Sequence, residues 1–192
     1  MAEIKTKSKD FLTADRFLDY LKATGIYKEL WKSKEGIISA VLAVFTMLFL
    51  GFIFTSIPKY NPTEDLLNIL GIIVGGAFGL LGFLVGGMAL IVGSISDDIL
   101  DIIDSGEKFP ALLSIVFRFY YDGAIIGLLI LVSLVSYFML MIPMSYSKLL
   151  VYFFGFINSY LFIYTLLLSV MLLGTSIRLM VLRHTLIKTR QK

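Results

Sequence analysis

Few residues in this chain have types and spacings that could do chemistry. The single histidine, His184, lies beside Arg183 and six residues after Arg178. Six residues along a helix turn two side chains about 240° apart, so Arg178 and His184 do not share a face as a ribonuclease-like Arg/His pair would. The adjacent carboxylates Asp97 and Asp98 would suit general acid/base work only opposite a histidine or a second acid in a pocket. The sequence offers neither, and they read as a solvated helix face. The absence of cysteine excludes disulfides and thiolate metal sites. Phosphate loops, nucleophile elbows and metal-ligand spacings are also missing. The expectation is therefore no enzyme, no metal and no cofactor.

The spacing that does stand out is one of glycines. Eight of the sixteen fall in residues 71–93, within an apolar, uncharged run. Gly71, Gly75 and Gly79 recur every four residues, Gly82 and Gly86 repeat the interval, and Gly93 follows one heptad later. Glycine weakens a helix in water, but small residues at this interval clear one helix face so that another backbone can approach closely in lipid. Three readings stay open: a homo-oligomer interface, a pore-lining helix whose narrow face lets a conformational change slide, and a contact with another helix of the same chain.

The elements that carry these residues follow from hydropathy. The chain has 192 residues, 58% hydrophobic and 16% charged, with a mean hydropathy of +0.89, which does not suit a soluble domain. Its apolar residues gather in blocks 36–57, 66–94, 123–144 and 149–177, none containing Asp, Glu, Lys or Arg. Each exceeds the roughly 20 residues that cross a bilayer. The fold class expected is thus an all-α membrane protein with four transmembrane helices over residues 36–177. No ionisable residue is expected inside a span, which argues against a secondary transporter. The polar groups at depth are Ser133 and Ser136 in the third span and Asn158, Ser159, Tyr160, Tyr164, Thr165 and Ser169 in the fourth. Asn158 is expected to hydrogen-bond a neighbouring helix.

Fifteen of the seventeen Lys and Arg residues flank the spans on one side, in residues 1–35, 95–122 and 178–192; only Lys59 and Lys148 fall on the other. The positive-inside rule then places both termini and the loop 95–122 in the cytoplasm, in the bacterial inner membrane. The polar first 35 residues lack the pattern of a cleavable signal peptide, so the first span is expected to act as the insertion signal. Within them, Phe11, Ala14, Phe17, Leu18 and Leu21 outline an amphipathic helix ended by Gly25, and Trp31 among lysines marks a membrane-interface anchor. The loop 95–122 holds six acids against two cations. Asp97, Asp98, Asp101 and Asp104 are its candidate partner-binding face, and Pro110 is placed to open the next helix. The basic tail, 178–192, suits anionic lipid headgroups. Similar landmarks in the two halves, such as Gly36 and Gly123 or Ile57-Pro58 and Ile142-Pro143, suggest two parallel repeats of a two-helix hairpin.

In span count, length and lack of an enzymatic motif, the chain resembles the four-span membrane subunits of bacterial anti-phage systems of the Kiwa type. The resemblance implies an oligomer in the inner membrane, a cytoplasmic partner protein and a role in sensing phage infection, with no site residues carried over. The expected function is an interaction subunit that senses envelope disturbance and binds membrane lipids, itself and a cytoplasmic protein, without direct contact with nucleic acid. A membrane-depolarising channel and a small-molecule transporter are the alternatives.

Overall fold

The computed structural model describes residues 29–56, 63–94, 109–142 and 148–190. The expected amphipathic helix and the acids Asp97, Asp98, Asp101 and Asp104 lie outside the described residues. Five helices follow in order: α1 (Glu29–Lys32), α2 (Lys34–Ser56), α3 (Thr63–Ser94), α4 (Phe109–Met141) and α5 (Lys148–Arg190). Four contain stretches long and apolar enough to cross a membrane: Lys34–Ile53, Thr63–Leu90, Ile115–Met141 and Leu149–Ile177. Large apolar side chains cover their outer faces, with Phe45, Leu48, Phe52 and Leu90 each at least 67% exposed. Water would not tolerate so continuous an apolar surface, whereas lipid is its natural solvent. The chain is an all-helical, multi-pass membrane protein.

Local chemistry sets where the helices begin and end. Ser33 caps α2, its Oγ accepting a hydrogen bond from the Gly36 N–H at 2.9 Å while its carbonyl accepts from Ile37 N at 3.1 Å. Glu64 and Asp65 place negative charge in the first turn of α3. Pro110 sits in the first turn of α4, where its missing N–H costs nothing. Pro143 follows the end of that helix, as α4 closes with Ile142 N donating to Met139 O at 3.3 Å.

The helices pack in the series α2, α5, α4, α3, with α3 also touching α5; α2 and α3, although consecutive in the chain, scarcely touch. Exchanging the two halves of the chain maps the α2/α5 contact onto the α4/α3 contact. The contact between α4 and α5 has no equal between α2 and α3. The duplicated landmarks therefore correspond to a symmetric pairing between the halves but not to two equivalent hairpins.

Close approaches hold the α2/α5 seam. A Cβ built on Gly155 would lie 3.3 Å from the Met47 sulfur, and one on Gly51 3.6 Å from the Tyr152 hydroxyl. At the start of α2 the backbone comes nearer still, because a Cβ on Gly36 would run into the Leu30 carbonyl of α1. That same carbonyl accepts a hydrogen bond from the Tyr160 hydroxyl of α5, which ties α1 into the bundle. Tyr160 continues a ladder of stacked rings with Phe156 and Tyr164, centroids 6.4 and 5.9 Å apart.

The third span, carried by α4, departs most from expectation. The helix begins at Phe109, and its apolar stretch at Ile115, so Arg118 and Asp122 belong to the span rather than to the loop before it. The expectation of spans free of ionisable side chains fails at this point. The charge-free block starting at Gly123 marks where charge stops, whereas toward the N-terminus the apolar stretch continues for about two more turns and the helix for about four.

Candidate functional site

On α4, Asp122, Ile126, Leu129, Ser133 and Ser136 recur at intervals of four, three, four and three, which places them on one face. On α5, Asn158, Leu161, Thr165, Ser169 and Leu172, at intervals of three, four, four and three, likewise share one face, and all ten are buried. The two faces meet antiparallel, and polar groups bond across them at two levels.

At the inner level the Asn158 side-chain oxygen accepts from Ser133 Oγ at 2.7 Å, while its amide donates to Ser136 Oγ at 2.8 Å and to the Phe154 carbonyl of its own helix at 2.9 Å. Ser136 spends its own proton on the Val132 carbonyl at 2.8 Å. Both amide hydrogens and one lone pair of the oxygen are thereby engaged. In lipid, interhelical bonds of this kind contribute about 0.6 kcal/mol each on average and up to about 1.7. The structure brings together Asn158, Ser133 and Ser136 from the polar set singled out in the sequence, and they join α4 to α5.

At the outer level, nearer the end of the bundle where α2 begins and α5 leaves, Ser169 Oγ donates to Asp122 Oδ2 at 3.3 Å. Asp122 is only 1% exposed, and its Oδ1 has no hydrogen-bond partner. Burying a carboxyl group with one of its oxygens unserved is expensive in an apolar medium. Beside it lies a small cavity of about 30 Å³, walled by Ser33 and Glu35 from the start of α2, Arg118 and Asp122 from α4, and Thr175 from α5. Sequence reasoning missed this cluster, since Asp122 and Arg118 were counted with the loop. The signal was present in the four-three-four-three spacing that runs from Asp122 through Ser136.

The glycines of α3 occupy a different surface. The helix packs inward through Leu70, Ala77 and Leu84, all buried, and through Gly87, where a Cβ would lie 3.3 Å from a Phe119 ring carbon. Gly75 and Gly79 sit two residues either side of Ala77, about 200° around the helix from it. They are exposed, and a Cβ on Gly71, Gly75, Gly79, Gly82, Gly86 or Gly93 meets nothing within 4 Å among the described residues. The six-glycine stripe thus faces away from the other described helices. Trp31 belongs to α1, but its side chain lies outside the described residues, as do the side chains of Arg178 and His184 on the extended end of α5.

Among the described residues no three His, Cys, Asp or Glu side chains gather closely enough to hold a metal ion. The arrangement offers polar cross-links between two buried helix faces, a small cavity of mixed polar and apolar lining at one end, and a bare helix face. Compared with known proteins, the chain matches no family model, no curated protein and no solved structure.

Proposed function

We propose that the chain is the membrane subunit of an oligomeric bacterial inner-membrane assembly that senses disturbance of the envelope, such as phage infection, and acts through a cytoplasmic partner protein in defence. The observation that carries this reading is the open glycine face of α3. Six glycines at helix-packing intervals weaken the helix that contains them, and none of the described helices uses the close approach they permit. A second copy supplies that neighbour.

The packing series supports a head-to-tail arrangement. Its two ends are α3, with its bare groove, and α2, whose outward face carries Ile38, Val41, Phe45, Leu48 and Phe52 at intervals of three and four. A ridge of bulky side chains on one copy fits the glycine groove of the next. A heterologous contact of this kind closes into a ring when its rotation permits. Charge follows the same pattern, for Lys32 and Lys34 lie exposed at the start of α2 while Asp97, Asp98 and Asp101 follow the end of α3 in sequence.

The excess of Lys and Arg in residues 1–35 and 178–192 favours cytoplasmic termini. The segments outside would then be very short, so a partner is met from the cytoplasm. Trp31 and the basic tail serve as contacts with membrane lipids, and nucleic acid is reached only through the partner.

Purification from the native host in a gentle detergent, with the mass of the complex and its co-eluting proteins as the readout, tests the proposal. A homo-oligomer with a stoichiometric soluble protein is the expected result. A monomer eluting alone overturns it, and a homo-oligomer alone that conducts ions in liposomes favours the channel alternative.

A further inference from the structure

The hydrogen bonds around Asp122 suit a carboxylic acid better than a carboxylate. The side chain is 1% exposed within a membrane span, Ser169 Oγ reaches only Oδ2, at 3.3 Å, and Oδ1 has no partner. A carboxylate so placed would bury a full charge against a single long hydrogen bond, whereas burying the neutral acid costs far less. In the acid, Oδ2 is the carbonyl oxygen that accepts from Ser169, and Oδ1 carries the proton. That O–H needs one acceptor, and the adjoining cavity of about 30 Å³ has room for one water molecule to supply it.

The charges that face the group agree with this. α2 brings Glu35 to the cavity, and α4 brings Arg118 and Tyr121. The α5 wall, with Leu168, Met171, Leu172 and Thr175, holds nothing titratable, and neither does the adjoining end of α3 from Gly87 to Ser94. Arg118 and Glu35, each partly buried, offset one another in formal charge. Arg118 makes no hydrogen bond to Oδ1, so the wall is neutral when Asp122 is neutral.

We propose that Asp122 is a proton-binding site, kept as the neutral acid by the folded bundle, and that loss of its proton is a switch at this end of the molecule. On release the O–H bond breaks, its electron pair stays on Oδ1, and the proton passes to water. An unbalanced negative charge then sits between α2, α4 and α5. Serving it draws Arg118 to Oδ1, which leaves Glu35 without a countercharge, or admits solvent between the helices. Either loosens the start of α2, and α1 with it, from α4 and α5. The inference stands apart from the oligomer proposal, because none of these residues lies on the glycine face.

The test uses the full chain in detergent. Infrared spectra recorded against pH should show the C=O stretching band of a protonated carboxyl group persisting well above pH 4, the ordinary range of an aspartate being about 3.9. Asp122→Asn, which keeps the shape and the Ser169 hydrogen bond, should lack that band. The folded wild type then binds one proton more than the unfolded chain, so its stability falls as pH rises. Relative to Asp122→Asn, its folded-to-unfolded ratio should drop tenfold per pH unit, from about pH 4 up to the pH at which the band disappears. Ser169→Ala removes the one hydrogen bond that favours the anion and should move that disappearance to higher pH. A wild type without the band above pH 5 overturns the proposal, as does a band retained in Asp122→Asn or an unchanged profile in Ser169→Ala. The wild-type spectrum and the Ser169→Ala shift decide the matter even where Asp122→Asn does not fold.

Discussion

Replacing Gly75 and Gly79 together by leucine should strengthen the single chain while it breaks the assembly. In an isolated helix glycine is about 1 kcal/mol less favourable than alanine, and leucine is close to alanine, so the pair should gain roughly 1.5 kcal/mol in helix propensity. No steric cost offsets this within the chain, because a Cβ at either position meets nothing within 4 Å among the described residues. Between copies the leucines fill the groove and hold the neighbouring backbone away, which removes the van der Waals contact that drives association in lipid. Gly87→Leu is the contrasting variant. Its side chain would press on the Phe119 ring, already 3.3 Å from the built Cβ, at a cost of about 1–3 kcal/mol to the fold. Light scattering in mild detergent reads the mass, and unfolding by SDS in mixed micelles reads the stability of the dissociated chain. A double variant that loses stability while retaining the mass of the wild type refutes the reasoning and returns the stripe to the interior of one chain.

Other perturbations probe other levels of the structure. A double-mutant cycle of Asn158→Ala and Ser133→Ala should give a coupling of about 0.6–1.7 kcal/mol in the same SDS assay, and additive losses would show that the 2.7 Å bond contributes nothing. Gly36→Ala should displace α1 from the start of α2 and take with it the Tyr160 bond to Leu30, costing about 1–3 kcal/mol; an unchanged midpoint would contradict the close approach seen there. Reversing Asp97, Asp98 and Asp101 to lysine should abolish co-purification of the cytoplasmic partner while membrane insertion persists, and retained binding would remove those acids from the interface.

Much of the fold is legible in the sequence because a bilayer imposes a single length on anything that crosses it. Four apolar blocks of more than 20 residues leave little choice of architecture. Charge is a poorer guide to where a helix starts. The last charge puts the start of the α4 span at Gly123, yet a membrane helix tolerates a part-buried Arg118 and a buried Asp122 in its outer turns where other helices pack on them. Reading those turns as loop concealed the cavity beside Asp122. The pairing of Asn158 with Ser133 and Ser136 could be expected in kind but not in partner, since any neighbouring helix offers hydroxyls. The glycine spacing fixed the presence of a bare face, whereas its direction depends on Ala77 and Leu84 facing inward. Only the packing order of the helices settles that.

The length of α5 has a mechanical consequence. Its 43 residues form a rod of about 65 Å, and the last 13, from Arg178 to Arg190, extend roughly 20 Å beyond the apolar stretch that ends at Ile177. Packed along α2 and α4 within the membrane, the rod continues as helix past it. A change of about 10° in its tilt, of the kind that follows a change in bilayer thickness, swings the tip by roughly 3 Å relative to its last turn in the membrane. For a rigid rod, any change of tilt in the bilayer is therefore largest, as displacement, at its basic end.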